Sequence, residues 1–317
     1  MYKKLALILI ILFSLFGCGQ PTVSGQLQKV GLLVPETIDD KVLGIRGYEG
    51  LLKIQSELGV DVFYKEGMNE ESEVRAAIDE FHQNEVNLIF GYGSEYGSFF
   101  NSMSEDYPDI HFVLFNQNVT GDNVTSLNFE SHAMGFFGGM VAGEMTKTKK
   151  VGVLAAFEWQ PEIDGFFEGA YFQNENVHVE ISYVQDWNDT SVALPLLNEM
   201  IDSGVDIVYV AGDGYNVPAI DRLKEEGLFA IGFAIDQSDL GKGTVLTSTV
   251  QHVDTLYEVV AKAYNKGELK SGELNFDFED GVITMGQFSP LVDESFQVKL
   301  EKYIKEYKKS GILPNQM

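Results

Sequence analysis

Two glycine-bearing loops hold the residues best suited to meet a ligand. GYGSEYG (91–97) follows one apolar run and GDGYNVP (212–218) follows another. Glycine in such a place lets backbone N–H groups approach a ligand or the next helix closely. The first loop comes near the dinucleotide fingerprint, but its third glycine is displaced by one residue. No suitably placed acidic residue follows a second strand, so a nicotinamide cofactor is not indicated. Tyr92, Gly93, Asp213 and Tyr215 lie in these loops, and both tryptophans of the chain, Trp159 and Trp187, lie beside comparable ones. Their rings either stack on a planar ligand in a cleft or pack between two parts of the molecule.

Signals for catalysis are weak by comparison. His82, His111, His132, His178 and His252 form no i, i+4 pair and no HExxH, and neither a GxSxG elbow nor a P-loop occurs. Asp39, Asp40 and Asp213 could act as acids or bases, yet acidic loop residues in an acidic chain ordinarily face water or cap helices. The expectation is a binding protein, not an enzyme, with no cofactor and no metal.

Composition narrows the partners. The 317 residues carry 22 Lys+Arg against 48 Asp+Glu, a formal charge of −26. Nucleic-acid affinity rests on Lys and Arg neutralising phosphates, so direct DNA or RNA binding is excluded as an expectation. A hydrophobic fraction of 44% is too high for disorder, and one cysteine rules out a disulfide framework or a multi-cysteine zinc site.

That single cysteine sets an address. Lys3 and Lys4 precede an apolar run of about a dozen residues, the layout of a secretory signal peptide and shorter than the roughly 20 residues of a membrane span. The run ends in Leu15-Phe16-Gly17-Cys18, which resembles the bacterial lipoprotein signal. The expectation is cleavage after residue 17, lipid on the Cys18 sulfur, and a polar tether over 18–28. The body then lies at the extracytoplasmic face of the cell membrane, held by its acyl chains.

The elements that must position these residues alternate. Apolar runs at 29–35, 60–65, 86–91 and 110–115 read as strands separated by helices at 40–58, 70–83 and 94–107. A second series follows, with strands at 124–129, 150–157, 177–184, 205–212 and 228–234 and helices at 131–146, 162–173, 190–203 and 217–226. Runs such as VGVLAAF and VDIVYVAG are apolar throughout, as for parallel strands covered on both faces. Two such series predict two doubly wound α/β lobes. The tail adds a strand–helix unit at 245–266, a hairpin at 275–286 and a charged helix at 293–309. Gly135, Gly139 and Gly143 line one face of the 131–146 helix. That segment is too short to span a bilayer, so it reads as a core helix packed closely against a strand.

In open α/β sheets ligands bind beyond the carboxyl ends of the strands. The loops 35–44, 91–97, 115–122, 157–164, 212–218 and 234–240 are therefore the ones to watch.

At this level of detail the chain resembles a known family. VGLLVPETIDDKVLGIRGYEGLLK, DYPDIHFVLFN, GFFGGMVAG, GVDIVYVAGDG, AIGFAIDQSD and VLTSTVQHVD, in that order, are similar to the basic membrane protein family. That family contains PnrA-type nucleoside-binding lipoproteins of ABC importers. The motifs EGM, FGYGSEY, SEDYP, WQPE, AGDGYNVP, DQSDLG and FSPLVD resemble a regulatory subgroup that promotes competence gene expression. The resemblance implies a type I periplasmic-binding fold, two Rossmann-like lobes with a ligand cleft and three crossings. Lobe I is expected at 29–127 and 238–275, and lobe II at 128–237 and 276–317. A nucleoside-like ligand and a membrane-protein partner are the implied partners.

The resemblance also nominates contacts, and several are altered. Asp40 is kept, while Leu43 and Gly44 stand where the family has Phe-Asn. Trp187 keeps one stacking ring. Asn116 replaces the usual acid at the end of the fourth strand, Ala234 replaces the first aspartate of a Gly-Val-Asp-x-Asp-Gln stretch, and Asp236 and Gln237 are retained. Gln251 takes the place of a lysine. Removing hydroxyl acceptors and a ring implies weakened purine nucleoside binding.

Overall fold

The computed structural model describes residues 26–35, 37, 44–93 and 95–317. The expected signal peptide, Cys18, most of the tether, Asp40 and Leu43 lie outside the described residues.

Twelve strands form two six-stranded sheets among the described residues. The first sheet takes β1 (Lys29–Leu33), β2 (Asp61–Lys65), β3 (Leu88–Gly91), β4 (His111–Phe115), β5 (Val124–Phe129) and β11 (Gly272–Phe276), in the order β11-β5-β4-β3-β1-β2. The second takes β6 (Lys150–Ala155), β7 (His178–Tyr183), β8 (Ile207–Ala211), β9 (Phe229–Gly232), β10 (Val245–Gln251) and β12 (Ile283–Met285), in the order β12-β10-β9-β8-β6-β7. All pairings are parallel except that of β12 with β10. Register follows the apolar runs, for example Val30 opposite Leu88 and Val151 opposite Ile207.

The helices are α1 (Gly44–Leu58), α2 (Glu71–Gln83), α3 (Tyr96–Met103), α4 (Ser131–Met145), α5 (Pro161–Gln173), α6 (Thr190–Ser203), α7 (Asn216–Glu225), α8 (Val253–Asn265) and α9 (Glu294–Ser310). Central strands β3, β4 and β8 are buried at every residue, because helices cover both faces of each sheet. None of the described helices is long and apolar enough to cross a membrane.

The chain passes between lobes three times: after β5, after β10 and after β11. This is the type I periplasmic-binding topology. Three details differ from the sequence reading. The strand at 124–129 closes the first sheet beside β4, so the second series begins one element later. The strand at 245–251, expected in lobe I, pairs with β9 in the second sheet, which moves that crossing from about residue 238 to just beyond Gln251. The expected hairpin at 275–286 does not form, since β11 lies on β5 and β12 on β10. Asp277 and Asp280 instead turn the chain where it passes between lobes. An apolar segment at an inter-lobe crossing can satisfy either sheet, and periodicity alone does not choose.

The glycine-lined helix α4 is core, but its close neighbour is a helix. A Cβ at Gly135 or Gly139 would collide with the carbonyl oxygen of Glu162 or Phe166 on α5, and one at Gly165 or Gly169 would strike His132 or Phe136 on α4. The two backbones touch because both faces lack side chains.

Candidate ligand cleft

The carboxyl ends of the two sheets face each other. Arg46, in the first turn of α1, places Nη2 3.8 Å from Oδ1 of Asp213, which follows β8 in the other lobe. Side-chain exposures of 14% and 19% show that this pair is largely shielded from water. The Asp213 and Gly214 N–H groups both donate to the Trp187 carbonyl, at 3.1 and 3.0 Å. The loops after β7 and β8 are thus pinned to each other.

Beside Asp213 stands an aromatic shelf. Trp159 stacks on Phe157 with centroids 5.5 Å apart, and Trp187 meets both edge-on at 6.0 and 5.6 Å. Trp159 is 66% exposed, while Phe157 and Trp187 are half-buried. Buried Gln160 fixes the loop that carries it. The Gln160 Oε1 accepts from Phe157 N at 2.7 Å, while Nε2 donates to Glu162 Oε1 at 2.7 Å and to the Ala211 carbonyl at 3.1 Å. Pro161 at the start of α5 ends the loop, since its missing N–H is not needed in a first turn.

Glu162 is buried beneath this shelf with the neutral Gln160 as its side-chain partner, and burial pushes its carboxyl above the ordinary range. Nearby Tyr209 gives its hydroxyl to a contact of 2.9 Å with Thr249, and burial together with Glu162 raises its ionisation far out of reach. These buried groups make the floor of the site.

The remaining nominated residues divide by role. Gly44 opens α1, behind the undescribed Asp40 and Leu43. Tyr92 is buried, its ring edge-on to Phe115 at 4.8 Å, so it is a floor residue and not an open stacking ring. A Cβ at Gly93 would press on the Glu95 carboxylate, so the loop passes close to that side chain. Asn116 is exposed at the end of β4 with φ 51°, a left-handed backbone that Asn tolerates better than most residues. Ala234 adopts the same region at φ 63° without that excuse, at the matching end of β9.

Asp236 is spent on structure. Its carboxylate accepts from Ser238 N and Gln287 N at 3.0 and 2.9 Å, tying the loop after β9 to the segment after β12. Gln251 donates weakly to Ser131 Oγ at 3.4 Å. The retained Gln237 accepts from Phe233 N, and its buried Nε2 has no partner among the described residues. The structure therefore brings together Trp159, Trp187 and Asp213, while Asp236 holds the loop after β9 to the segment after β12. Sequence reading missed Phe157, Gln160 and Arg46. Phe157 and Gln160 flank Trp159 at a strand end, a signal that was available. Arg46 had none, because its importance lies in a contact across the cleft.

Chemically the cleft offers flat aromatic surface, one cation and one anion. Among the described residues no cluster of three His, Cys, Asp or Glu could hold a metal ion. Two shallow apolar grooves lie elsewhere, at the outer edges of the sheets against α9 and α8.

Comparison with known proteins agrees with this architecture. The Bmp family model, described as "ABC transporter substrate-binding protein PnrA-like", matches residues 27–317. The chain belongs to that family. It is 52% identical over 314 residues to the Transcriptional activator protein med of Bacillus subtilis (strain 168), covering 99% of each chain. Basic membrane protein A2 of Borrelia garinii subsp. bavariensis is 24% identical, with 89% of this chain and 87% of that one covered. A crystal structure of a transcriptional activator of the comK gene from Bacillus halodurans is 47% identical, with a TM-score of 0.85 over 90% of this chain and 99% of that one. An ABC transporter solute-binding protein from Conexibacter woesei, 16% identical with a TM-score of 0.73 over 92% of this chain and 99% of that one, shares the fold. The Bmp family member described here is a binding protein by fold and by family.

Proposed function

We propose that this Bmp family member is a membrane-anchored regulatory lipoprotein that promotes competence gene expression indirectly, through a binding-protein body outside the cytoplasmic membrane. The full-length identity to the Transcriptional activator protein med carries this reading. A charge of −26 supports the indirect route, because a body so acidic repels phosphate backbones. The influence then passes through a membrane-protein partner that recognises the body. Deleting the gene is expected to lower a competence-gene reporter, and the wild-type copy to restore it. An unchanged reporter together with lost nucleoside uptake would reject the proposal.

A second reading rests on the aromatic shelf. Trp159, Trp187 and Phe157 present flat surface to a planar, nucleoside-like ligand, as the substrate-binding lipoprotein of an ABC importer would. Closure would follow from contacts the ligand makes with both lobes. Calorimetry against a panel of nucleosides tests it. Micromolar or tighter binding supports import, and silence across the panel argues for regulation alone.

A further inference from the structure

A two-lobed clamp ordinarily closes because a ligand touches both lobes, and the closed form gains only the free energy of those contacts. Here one charged contact runs directly between protein groups of the two lobes. Arg46 belongs to the first lobe and Asp213 to the second, and the other ion pairs between described residues fall within a single lobe.

Both partners sit on fixed mounts. The first turn of α1 is pressed onto the lobe I floor, where a Cβ at Gly47 would lie 3.2 Å from the Tyr92 ring and 3.4 Å from the Tyr257 hydroxyl. Tyr257 itself is locked, stacked on Phe90 at 4.1 Å. Across the cleft, Asp213 is held by its N–H bond to Trp187, and Gly212 and Gly214 leave its loop pressed on Tyr215 and Asn188. With both backbones fixed, only the side-chain rotamers of the two charges have to be ordered when the lobes meet.

We propose that Arg46 and Asp213 form a latch that holds the cleft shut in the absence of ligand. The pair supplies a differential interaction that exists only when the lobes approach, so the closed form is populated before any ligand arrives. A partner that reads the closed form then finds it already present, and a ligand entering the cleft must accommodate or split the pair. This inference stands apart from the proposed function, because its test contains no ligand and no reporter gene.

The test uses full-length protein in detergent with Trp159→Phe as background, which leaves Trp187 as the sole tryptophan, beside the latch. Acrylamide quenching reports whether the cleft is closed over it. Low quenching is expected near about 0.01 M salt, rising by about 1 M, where the screening length falls to ~3 Å. Arg46→Gln and Asp213→Asn are each expected to quench strongly at every salt concentration. The reversed pair, Arg46→Asp with Asp213→Arg, is expected to regain protection and salt response. Single variants as protected as the background protein, or a reversed pair no better than either single, would overturn the latch. Should the variants not fold, the salt titration of the background protein decides alone, and a flat response overturns it.

Discussion

Trp187 owes its position to its backbone as much as to its ring, since its carbonyl accepts from two consecutive N–H groups of the loop after β8. Truncating the side chain should therefore leave that loop in place. Trp187→Ala and Trp159→Ala are expected to preserve the fold while weakening any planar ligand by about 5- to 150-fold each, from ~1–3 kcal/mol of stacking. Calorimetry with the best nucleoside of the panel measures it. Two buried titratable groups make opposite contributions to stability with pH. His111 donates from Nε2 to Thr125 Oγ1 at 2.7 Å, because the Thr125 hydroxyl proton goes to the Lys270 carbonyl, and its buried Nδ1 has no partner among the described residues. Burial lowers its pKa from 6.5 to about 4, so the unfolded chain takes the proton first and stability falls as pH drops from 6.5 toward 4. The effect amounts to roughly 3 kcal/mol.

Glu162 works the other way. Its folded pKa lies above the ordinary 4.5, so the folded state keeps its proton longer. Stability contributed by the neutral form is complete below 4.5 and is lost as pH rises through the folded value. Glu162→Gln retains an acceptor for Gln160 and removes the ionisation. Its urea midpoint is expected to rise relative to wild type at pH 8 and to match it at pH 4. A variant equally destabilised at both values would show that the carboxyl is needed for packing alone.

At the level of elements, the α4–α5 contact decides how lobe II is built. Glycine normally weakens a helix by about 1 kcal/mol relative to Ala, and here five glycines across two helices accept that cost for backbone contact. Gly139→Ala therefore reverses its usual sign. Its Cβ would meet the Phe166 carbonyl, and the helices must separate along their length, an overpacking expected to cost at least about 2 kcal/mol by chemical denaturation. The stripe at 135, 139 and 143 was legible in the sequence, but its partner was not. Gly165 and Gly169 acquire meaning only once α5 lies across α4. Strand existence was equally legible from apolar runs, whereas the sheet that β10 and β12 join depends on which edge the returning chain reaches first.

For the whole molecule, charge and anchoring act together. The chain's formal charge of −26 gives it no electrostatic hold on anionic lipid, so under the regulatory proposal attachment rests on the lipid proposed for Cys18. Two or more acyl chains hold stably where one is marginal. Cys18→Ser is expected to move the protein from the membrane to the soluble fraction and, under the regulatory proposal, to lower the competence reporter as deletion does. Fractionation followed by immunoblotting reads the first outcome. A protein still in the membrane fraction would place the anchor elsewhere.

The sequence by itself determined the alternation of strands and helices, the two lobes, the strongly negative charge and the loops at which a cleft could form. Each of these follows from local composition or short-range periodicity, which a linear reading contains. Only the tertiary structure decided that Tyr92 and Asp236 serve the scaffold, that Phe157 completes the shelf with Trp159 and Trp187, and that Arg46 reaches Asp213. Those assignments depend on residues up to 167 positions apart being brought within a few ångströms. Such contacts are created by the packing within each lobe and, for Arg46 and Asp213, by the approach of the two lobes, and no spacing along the chain encodes them.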